Sequence, residues 1–102
     1  MNRLDVLKGM VAQNPRNALA RYGLAMEYVN SEQLELAVVE FSSLIESKPD
    51  YAAAYYHSGR TLEKLGRTDE AAAMYRRGIE VTTKSGDAHT RSELQGALDM
   101  LG

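Results

Sequence analysis

The sequence repeats itself at a stride of about 34 residues, and this repetition limits the chain to folds built from stacked copies of one unit. Small, apolar and aromatic side chains coincide after a shift by one repeat. The coinciding pairs are Ala18 and Ala52, Ala20 and Ala54, Tyr22 and Tyr56, Ala37 and Ala71, Phe41 and Tyr75, Ile45 and Ile79, and Glu46 and Glu80. We therefore expect one domain, 1–102, made of a half-unit helix (1–16), a first unit (17–50), a second unit (51–84) and a terminal helix (85–102).

Within each unit the apolar residues recur with helical spacing, and turn-forming residues separate the runs. This pattern predicts an all-α solenoid of antiparallel helical hairpins, with helices at about 2–13, 17–30, 32–47, 51–65, 68–83 and 87–101. The short polar side chains that could cap helix starts are Asn17, Asn30 or Ser31, Asp50, Thr68 and Asp87. Gly66 and Gly86 are expected to end helices in the left-handed conformation.

Composition excludes several classes of protein. The chain has no cysteine, so disulfides, thiolate catalysis and cysteine-ligated zinc are absent. Its 12 Lys and Arg against 14 Asp and Glu give a net charge of −2, whereas nucleic-acid-binding surfaces are normally basic. No apolar run approaches about 18 residues, and the Met1 end lacks the apolar stretch of a signal peptide. We expect a cytoplasmic protein that binds neither nucleic acid nor membrane.

The residues at equivalent positions of the two units form a family pattern. In the first unit they are Leu24, Ala25, Tyr28, Ala37, Phe41 and Pro49, and in the second Tyr55, Gly59, Leu62, Gly66, Ala71, Tyr75 and Ile79. This pattern resembles the tetratricopeptide repeat, a helix-turn-helix unit of the same length. Three residues depart from it: Arg21 replaces an aromatic, Ser58 replaces Leu, and Thr83 replaces Pro.

Small residues at the helix crossings should permit close packing. Ala25 and Gly59 would let the second helix of a unit approach the first, and Ala37 and Ala71 would do the same from the other side. In the terminal helix the pattern is broken by polar residues and glycine, while one apolar stripe survives: Leu94, Leu98 and Leu101. We interpret this helix as a solenoid cap; the alternative is a third unit cut short.

The resemblance implies that the first helix of each unit lines a concave groove. The residues placed there are Tyr22, Met26, Val29, Asn30, Tyr56, His57, Arg60, Lys64, Arg91 and Leu94. Tyrosine, methionine and arginine are favoured at binding hot spots, so the groove suits an extended peptide or helix of a partner protein, with an acidic segment as the most economical ligand. The alternative is that Met26 and one tyrosine only fill space between helices.

Some members of the family hold the carboxy-terminal tails of heat-shock chaperones with a clamp of Lys, Asn, Asn, Lys and Arg. The matching positions here are Tyr22, Met26, His57, Asp87 and Arg91, of which only the last agrees. Asp87 would repel an incoming carboxylate, so a chaperone-tail adaptor is disfavoured.

Catalytic motifs are missing from the sequence. The two histidines fall on different predicted helices, and no metalloprotease helix, phosphate-binding loop or nucleophile elbow is present. His57 falls on the groove face, while His89 takes the position of a packing aromatic and is expected to be structural. We expect no enzymatic activity, no cofactor and no metal.

Two kinds of function agree with this pattern. The first is a non-catalytic scaffold that binds a partner segment in its groove. The alternative is a self-associating module whose caps or convex face pair two copies, motivated by Met10, Val11 and Leu101 near the ends. The sequence leaves a monomer and a weak homodimer both open.

Overall fold

The computed structural model describes residues 1–101, which form six α-helices and no strands. The helices are α1 (Arg3–Gln13), α2 (Ala18–Asn30), α3 (Leu34–Ser47), α4 (Ala52–Lys64), α5 (Thr68–Ser85) and α6 (Ala88–Met100). Each predicted boundary lies within two residues of the observed one, and the predicted α-solenoid is confirmed. Gly102, the last residue of the predicted terminal segment, lies outside the described residues. Within residues 1–101, no helix combines the length and apolar character needed to cross a membrane.

Several predicted helix ends are confirmed by their hydrogen bonds. The side chain of Asn17 accepts from the backbone N–H of Ala20 at 3.1 Å, and that of Asp87 accepts from Thr90 at 3.1 Å. Gly66 and Gly86 are left-handed, with φ of 77° and 76°. These caps satisfy amides and carbonyls that have no partner inside the helix.

The predicted caps of α3 are wrong. Asn30 is the last residue of α2, and Ser31 follows it as the C-cap. Glu32 is left-handed with φ of 62°, and the N–H of Gln33 donates to the carbonyl of Tyr28 at 2.8 Å. Because backbone hydrogen bonds close this turn, α3 begins later than expected and needs no side-chain cap.

Two further caps, Asp50 and Thr68, are also misplaced. The N-cap of α4 is Tyr51, and Thr68 is already the first residue of α5. At its other end α5 runs to Ser85, two residues beyond the prediction. Thr83 explains the extension, since it keeps the backbone N–H that a proline would lack.

The helices pack in chain order, and α4 also contacts α6. Phe41 in the first unit and Tyr75 in the second are fully buried, as are Ala37 and Ala71 at the helix crossings. A Cβ on Gly59 would lie 2.2 Å from the Tyr75 ring, so only glycine permits this approach of α4 to α5. The predicted close packing is confirmed.

Leu94 corrects a prediction about the terminal helix. Its side chain is fully buried, and a Cβ on Gly78 would lie 2.8 Å from it. Gly78 opens the space that Leu94 fills on α5. The placement of Leu94 in the groove is therefore wrong, and this residue docks α6 onto the stack.

Two departures from the family pattern have visible consequences in the packing. Arg21 of α2 donates to Glu40 of α3 at 2.8 Å, and both side chains are largely buried. Ser58 is fully buried, and its hydroxyl has no hydrogen-bond partner among the described residues. The first departure adds an ionic contact inside a hairpin, while the second leaves a polar atom unsatisfied.

Candidate functional site

A cleft of about 310 Å³ opens between α2 and α4, the first helices of the two units. Both helices present side chains that follow the helical spacing of one face. The lining residues are Met26, Val29 and Asn30 from α2, and Tyr56, His57, Arg60, Thr61 and Lys64 from α4. The structure thus brings together most of the residues placed in the groove by sequence; their role in binding stays a prediction.

Tyr22 and Arg91 lie outside this lining. The Tyr22 ring stands 5.8 Å from the His57 ring and 5.5 Å from Tyr51, so it packs beside the cleft. Arg91 is exposed on α6, where it lines a separate depression with Ser92 and Gln95. Helical spacing predicts which face of a helix a residue lies on. It does not predict which neighbouring residues that side chain contacts.

The two walls of the cleft differ in chemistry. On α2 the wall is apolar at Met26 and Val29. On α4 it is basic, with the exposed cations Arg60 and Lys64. A ligand in this space would meet hydrocarbon on one side and positive charge on the other.

Arg60 is held in place by its neighbours on α4. Its Nη1 donates to the Tyr56 hydroxyl at 3.2 Å, and its Nε lies 3.9 Å from a Glu63 carboxylate oxygen. The hydrogen bond to Tyr56 is the main reason why the pKa of Arg60 is raised. Since Glu63 stands at the limit of an ion pair, Arg60 keeps donor capacity for an incoming carboxylate.

Glu63 is itself fixed from beneath the cleft. The hydroxyl of the buried Tyr75 on α5 donates to its carboxylate. Burial, followed by this hydrogen bond, raises the pKa of Tyr75 well above its usual value. The phenol therefore stays protonated and keeps Glu63 oriented.

His57 sits among aromatic rings, with the Tyr56 ring centroid 5.2 Å away in an edge-on arrangement. Burial lowers the pKa of His57, and nearby Arg60 acts in the same direction while Glu93 opposes it. The imidazole is neutral at pH 7, so it offers the cleft a hydrogen-bonding group without charge. His89 is different: its side chain is 87% exposed beside Glu93, so the expected structural role is wrong.

Sequence reasoning missed Thr61 and Glu63. Thr61 lines the cleft floor, and its hydroxyl donates to the carbonyl of His57 at 2.7 Å. Its position four residues after His57 was a usable signal, because residues so spaced share a helix face. Glu63 stands three residues after Arg60, which indicates a contact between the two charges, but its anchor Tyr75 belongs to another helix and has no local signal.

The fold and the cleft together define a helical-repeat protein of the solenoid class. A family model described as tetratricopeptide repeat matches residues 52–84. The crystal structure of a tetratricopeptide repeat domain protein from Salinibacter ruber is 39% identical, with a TM-score of 0.78 over 83% of this chain and 94% of that one. The chain belongs to the tetratricopeptide repeat family.

Two further relatives extend over most of the sequence. The solution structure of a protein from Bordetella parapertussis superposes with a TM-score of 0.85 at 28% identity, covering 99% of this chain and 88% of that one. A TPR repeat-containing protein of Pseudomonas aeruginosa is 25% identical over 91 residues, which are 89% of this chain and 87% of the relative. The similarity therefore includes α1 and α6 as well as the two complete units.

Proposed function

We propose that the protein is a non-catalytic interaction scaffold that holds an acidic segment of a partner protein in the cleft between α2 and α4. Tetratricopeptide repeats generally mediate protein–protein interaction or assembly. The observation that supports an acidic ligand in this cleft is the pairing of an apolar wall, Met26 and Val29, with a basic wall, Arg60 and Lys64. A segment with neighbouring acidic and apolar side chains satisfies both walls at once.

The arrangement of Arg60 favours carboxylates in particular. A guanidinium can form two parallel hydrogen bonds with a carboxylate, and such charge-assisted bonds are stronger than neutral ones. Tyr56 restrains the Arg60 side chain at 3.2 Å, which reduces the entropy lost when a ligand binds. Lys64 follows one helical turn later and supplies a second positive charge.

A protein ligand fits this chain better than a nucleic acid. The net charge of the chain is −2, so the positive charge of Arg60 and Lys64 is confined to the cleft of an acidic molecule. Nucleic-acid surfaces collect positive charge over a wider area to contact successive phosphates. The groups that line the cleft also do not pair a nucleophile with a general base. The neutral His57 ring lies against the rings of Tyr22 and Tyr56 and near Arg60.

The repeat itself supplies the test variant. A shift by one repeat places Arg60 on Met26 and Lys64 on Asn30, so Arg60→Met with Lys64→Asn gives the second wall the residues of the first. We expect this double variant to weaken binding of acidic peptides about tenfold or more, since hydrogen bonds to charged groups are worth about 1.5–3 kcal/mol. A peptide array with acidic and apolar positions varied, followed by calorimetry of the strongest binders, measures the change.

Arg76→Met with Lys84→Asn is the matched control, because it removes two positive charges from exposed positions of α5. It should leave peptide affinity unchanged. Circular dichroism checks that all variants keep their helical content. Acidic peptides that bind the double variant as tightly as the wild type would exclude this cleft as their site.

A further inference from the structure

His57 has unused hydrogen-bonding capacity inside the cleft. Its side chain is half-buried and lines the space between α2 and α4. The hydrogen bond that the structure shows for this residue uses its backbone carbonyl, which accepts from the Thr61 hydroxyl. Within residues 1–101 neither ring nitrogen has a hydrogen-bond partner, and neither is shut off from solvent. Both nitrogens are therefore accessible to a group that enters the cleft.

The charges that act on His57 come from two helices. On its own helix α4, Arg60 follows one turn later and lines the same cleft, whereas Glu93 belongs to α6. The rings beside the imidazole, Tyr22 and Tyr56, carry no charge near pH 7. Because Arg60 and Glu93 act in opposite directions, burial decides the state of His57 in the free protein, and its pKa is lowered.

An acidic ligand changes this balance of charges. Arg60 is near enough to influence His57, so a carboxylate that binds the guanidinium brings a negative charge to the same place. A negative charge close to a histidine favours the imidazolium form. The imidazolium also donates hydrogen bonds from both ring nitrogens, whereas the neutral ring donates from one. A carboxylate in the cleft therefore stabilises a proton on His57.

We propose that an acidic segment binds the cleft together with one proton, which His57 takes up from solvent. The inference rests on the proposed function, because it requires a carboxylate beside Arg60. The proton adds to the ring nitrogen that is unprotonated in the neutral imidazole, and no bond to the ligand is made or broken. With this proton α4 presents three positive charges to the ligand, on His57, Arg60 and Lys64.

The direction of the pH dependence follows from linkage between the proton and the ligand. A ligand that favours the imidazolium gives His57 a higher pKa in the complex than in the free protein. The gain in affinity is therefore fully present below the pKa of the free protein and is lost as the pH rises through the pKa of the complex. Between these two values, uptake of one proton changes the dissociation constant by at most about tenfold per pH unit.

The sign of this effect depends on the charge of the ligand. A neutral segment in the same cleft would cover the imidazole without supplying a negative charge. Covering a histidine disfavours its charged form, so a neutral segment would lower the pKa of His57 further. An acidic segment and its neutral analogue should thus move the pKa of His57 in different directions.

Proton NMR of the imidazole resonances tests this difference. The probes are an acetylated and amidated Glu-Leu-Glu-Leu-Glu peptide and its Gln-Leu-Gln-Leu-Gln analogue, at millimolar concentration and between about pH 5.5 and 8.5, where glutamate side chains stay ionised. The acidic peptide should raise the pKa of His57, and the analogue should not. His89 is the internal control, since its exposed side chain lies outside the cleft lining and its pKa should not move. A pKa of His57 that the bound acidic peptide leaves unchanged or lowers, or that both peptides raise, would overturn the proposal.

Calorimetry with the acidic peptide measures the effect on affinity. The wild type should bind about threefold or more tightly at about pH 6 than at about pH 8. His57→Gln keeps a polar side chain that does not titrate, and it should remove this difference. His89→Gln is the matched control and should retain the difference, while circular dichroism checks the helical content of both variants. A pH dependence that survives in His57→Gln would assign the proton to another group.

The Arg60→Met, Lys64→Asn double variant separates this inference from the proposed function. If the acidic peptide does not bind, or binds the double variant as tightly as the wild type, the cleft is not its site and both proposals fail. If the double variant binds weakly while the wild type has the same affinity at both pH values, the cleft holds acidic segments without the proton. That result would overturn the present inference alone.

Discussion

Four equivalent positions connect the cleft with the core in the two complete units, and the residue types differ at three of them. These positions hold Tyr22, Met26, Val29 and Phe41 in the first unit, and Tyr56, Arg60, Glu63 and Tyr75 in the second. In the first unit three of the four are apolar. In the second the same places carry hydroxyl, guanidinium and carboxylate groups in contact with one another.

The three polar replacements support one another. The hydroxyl that distinguishes Tyr75 from Phe41 would be buried without a partner if Glu63 were a valine. The carboxylate that Glu63 introduces is in turn balanced by the nearby Arg60. The exposed Arg60 in the cleft is thus linked through Glu63 to the buried Tyr75. The two walls therefore differ in the residues beneath them as well as in the residues that they expose.

At the end of the hairpins where Arg21 lies, the first unit has the ionic contact and the second unit does not. Arg21 in the first unit and Tyr55 in the second are equivalent, and each donates to the carbonyl of an equivalent proline, Pro15 or Pro49. Arg21 also pairs with Glu40, where the second unit has Met74. The first unit therefore connects its two helices through Arg21 and Glu40, and the second connects them through Glu63 and Tyr75.

The largest difference between the units should arise at their helix crossings. Gly59→Ala places a Cβ 2.2 Å from the buried Tyr75 ring, whose hydroxyl is fixed by Glu63, and overpacking should cost about 3 kcal/mol. The reverse change in the first unit, Ala25→Gly, should cost only about 1 kcal/mol through backbone entropy. Urea unfolding followed by circular dichroism compares the two; equal losses would contradict a tighter crossing in the second unit.

A smaller effect is expected at the polar contact of the first unit. Arg21→Met leaves Glu40 largely buried without its partner, and we expect a loss of about 2 kcal/mol, between the values for surface and buried pairs. Arg21→Met combined with Glu40→Met imitates the second unit at Met74 and should recover most of that loss. Thermal unfolding of the single and double variants measures the recovery, and its absence would mean that Arg21 acts mainly through Pro15.

The smallest effect concerns the turns within the two units. Glu32 and Gly66 occupy equivalent positions and share a left-handed backbone, which costs a residue with a Cβ about 1–2 kcal/mol. Glu32→Gly should therefore stabilise the chain by about 1 kcal/mol, and Gly66→Ala should destabilise it by a similar amount. Chemical denaturation midpoints test both signs, and a destabilising Glu32→Gly would show that the exposed side chain compensates for its backbone.

Most of the fold could be predicted because it depends on side-chain size at a fixed spacing. Ala37 and Ala71 recur one repeat apart and are both fully buried, so the period alone located the helix crossings. The caps were harder to predict. At Ser31 and Asp50 a short polar residue lies in a turn that contains backbone hydrogen bonds, and its side chain does not cap the following helix.

The cleft was predictable only along single helices. Met26, Arg60 and Lys64 follow from helical spacing, but the support of Arg60 by Glu63 depends on a hydroxyl from α5. Leu94 illustrates the same limit, because the space it fills exists only through the missing side chain of Gly78 on another helix. Contacts between different helices depend on three-dimensional packing that a linear period does not contain.

The missing Cβ of Gly59 also has a consequence for the shape of the cleft. It lets α4 lie close to α5, and α4 forms one wall of the cleft. The position of this wall thus depends on a contact of α4 that lies outside the cleft. A substitution at residue 59 would therefore alter the width of the cleft without changing any residue that lines it.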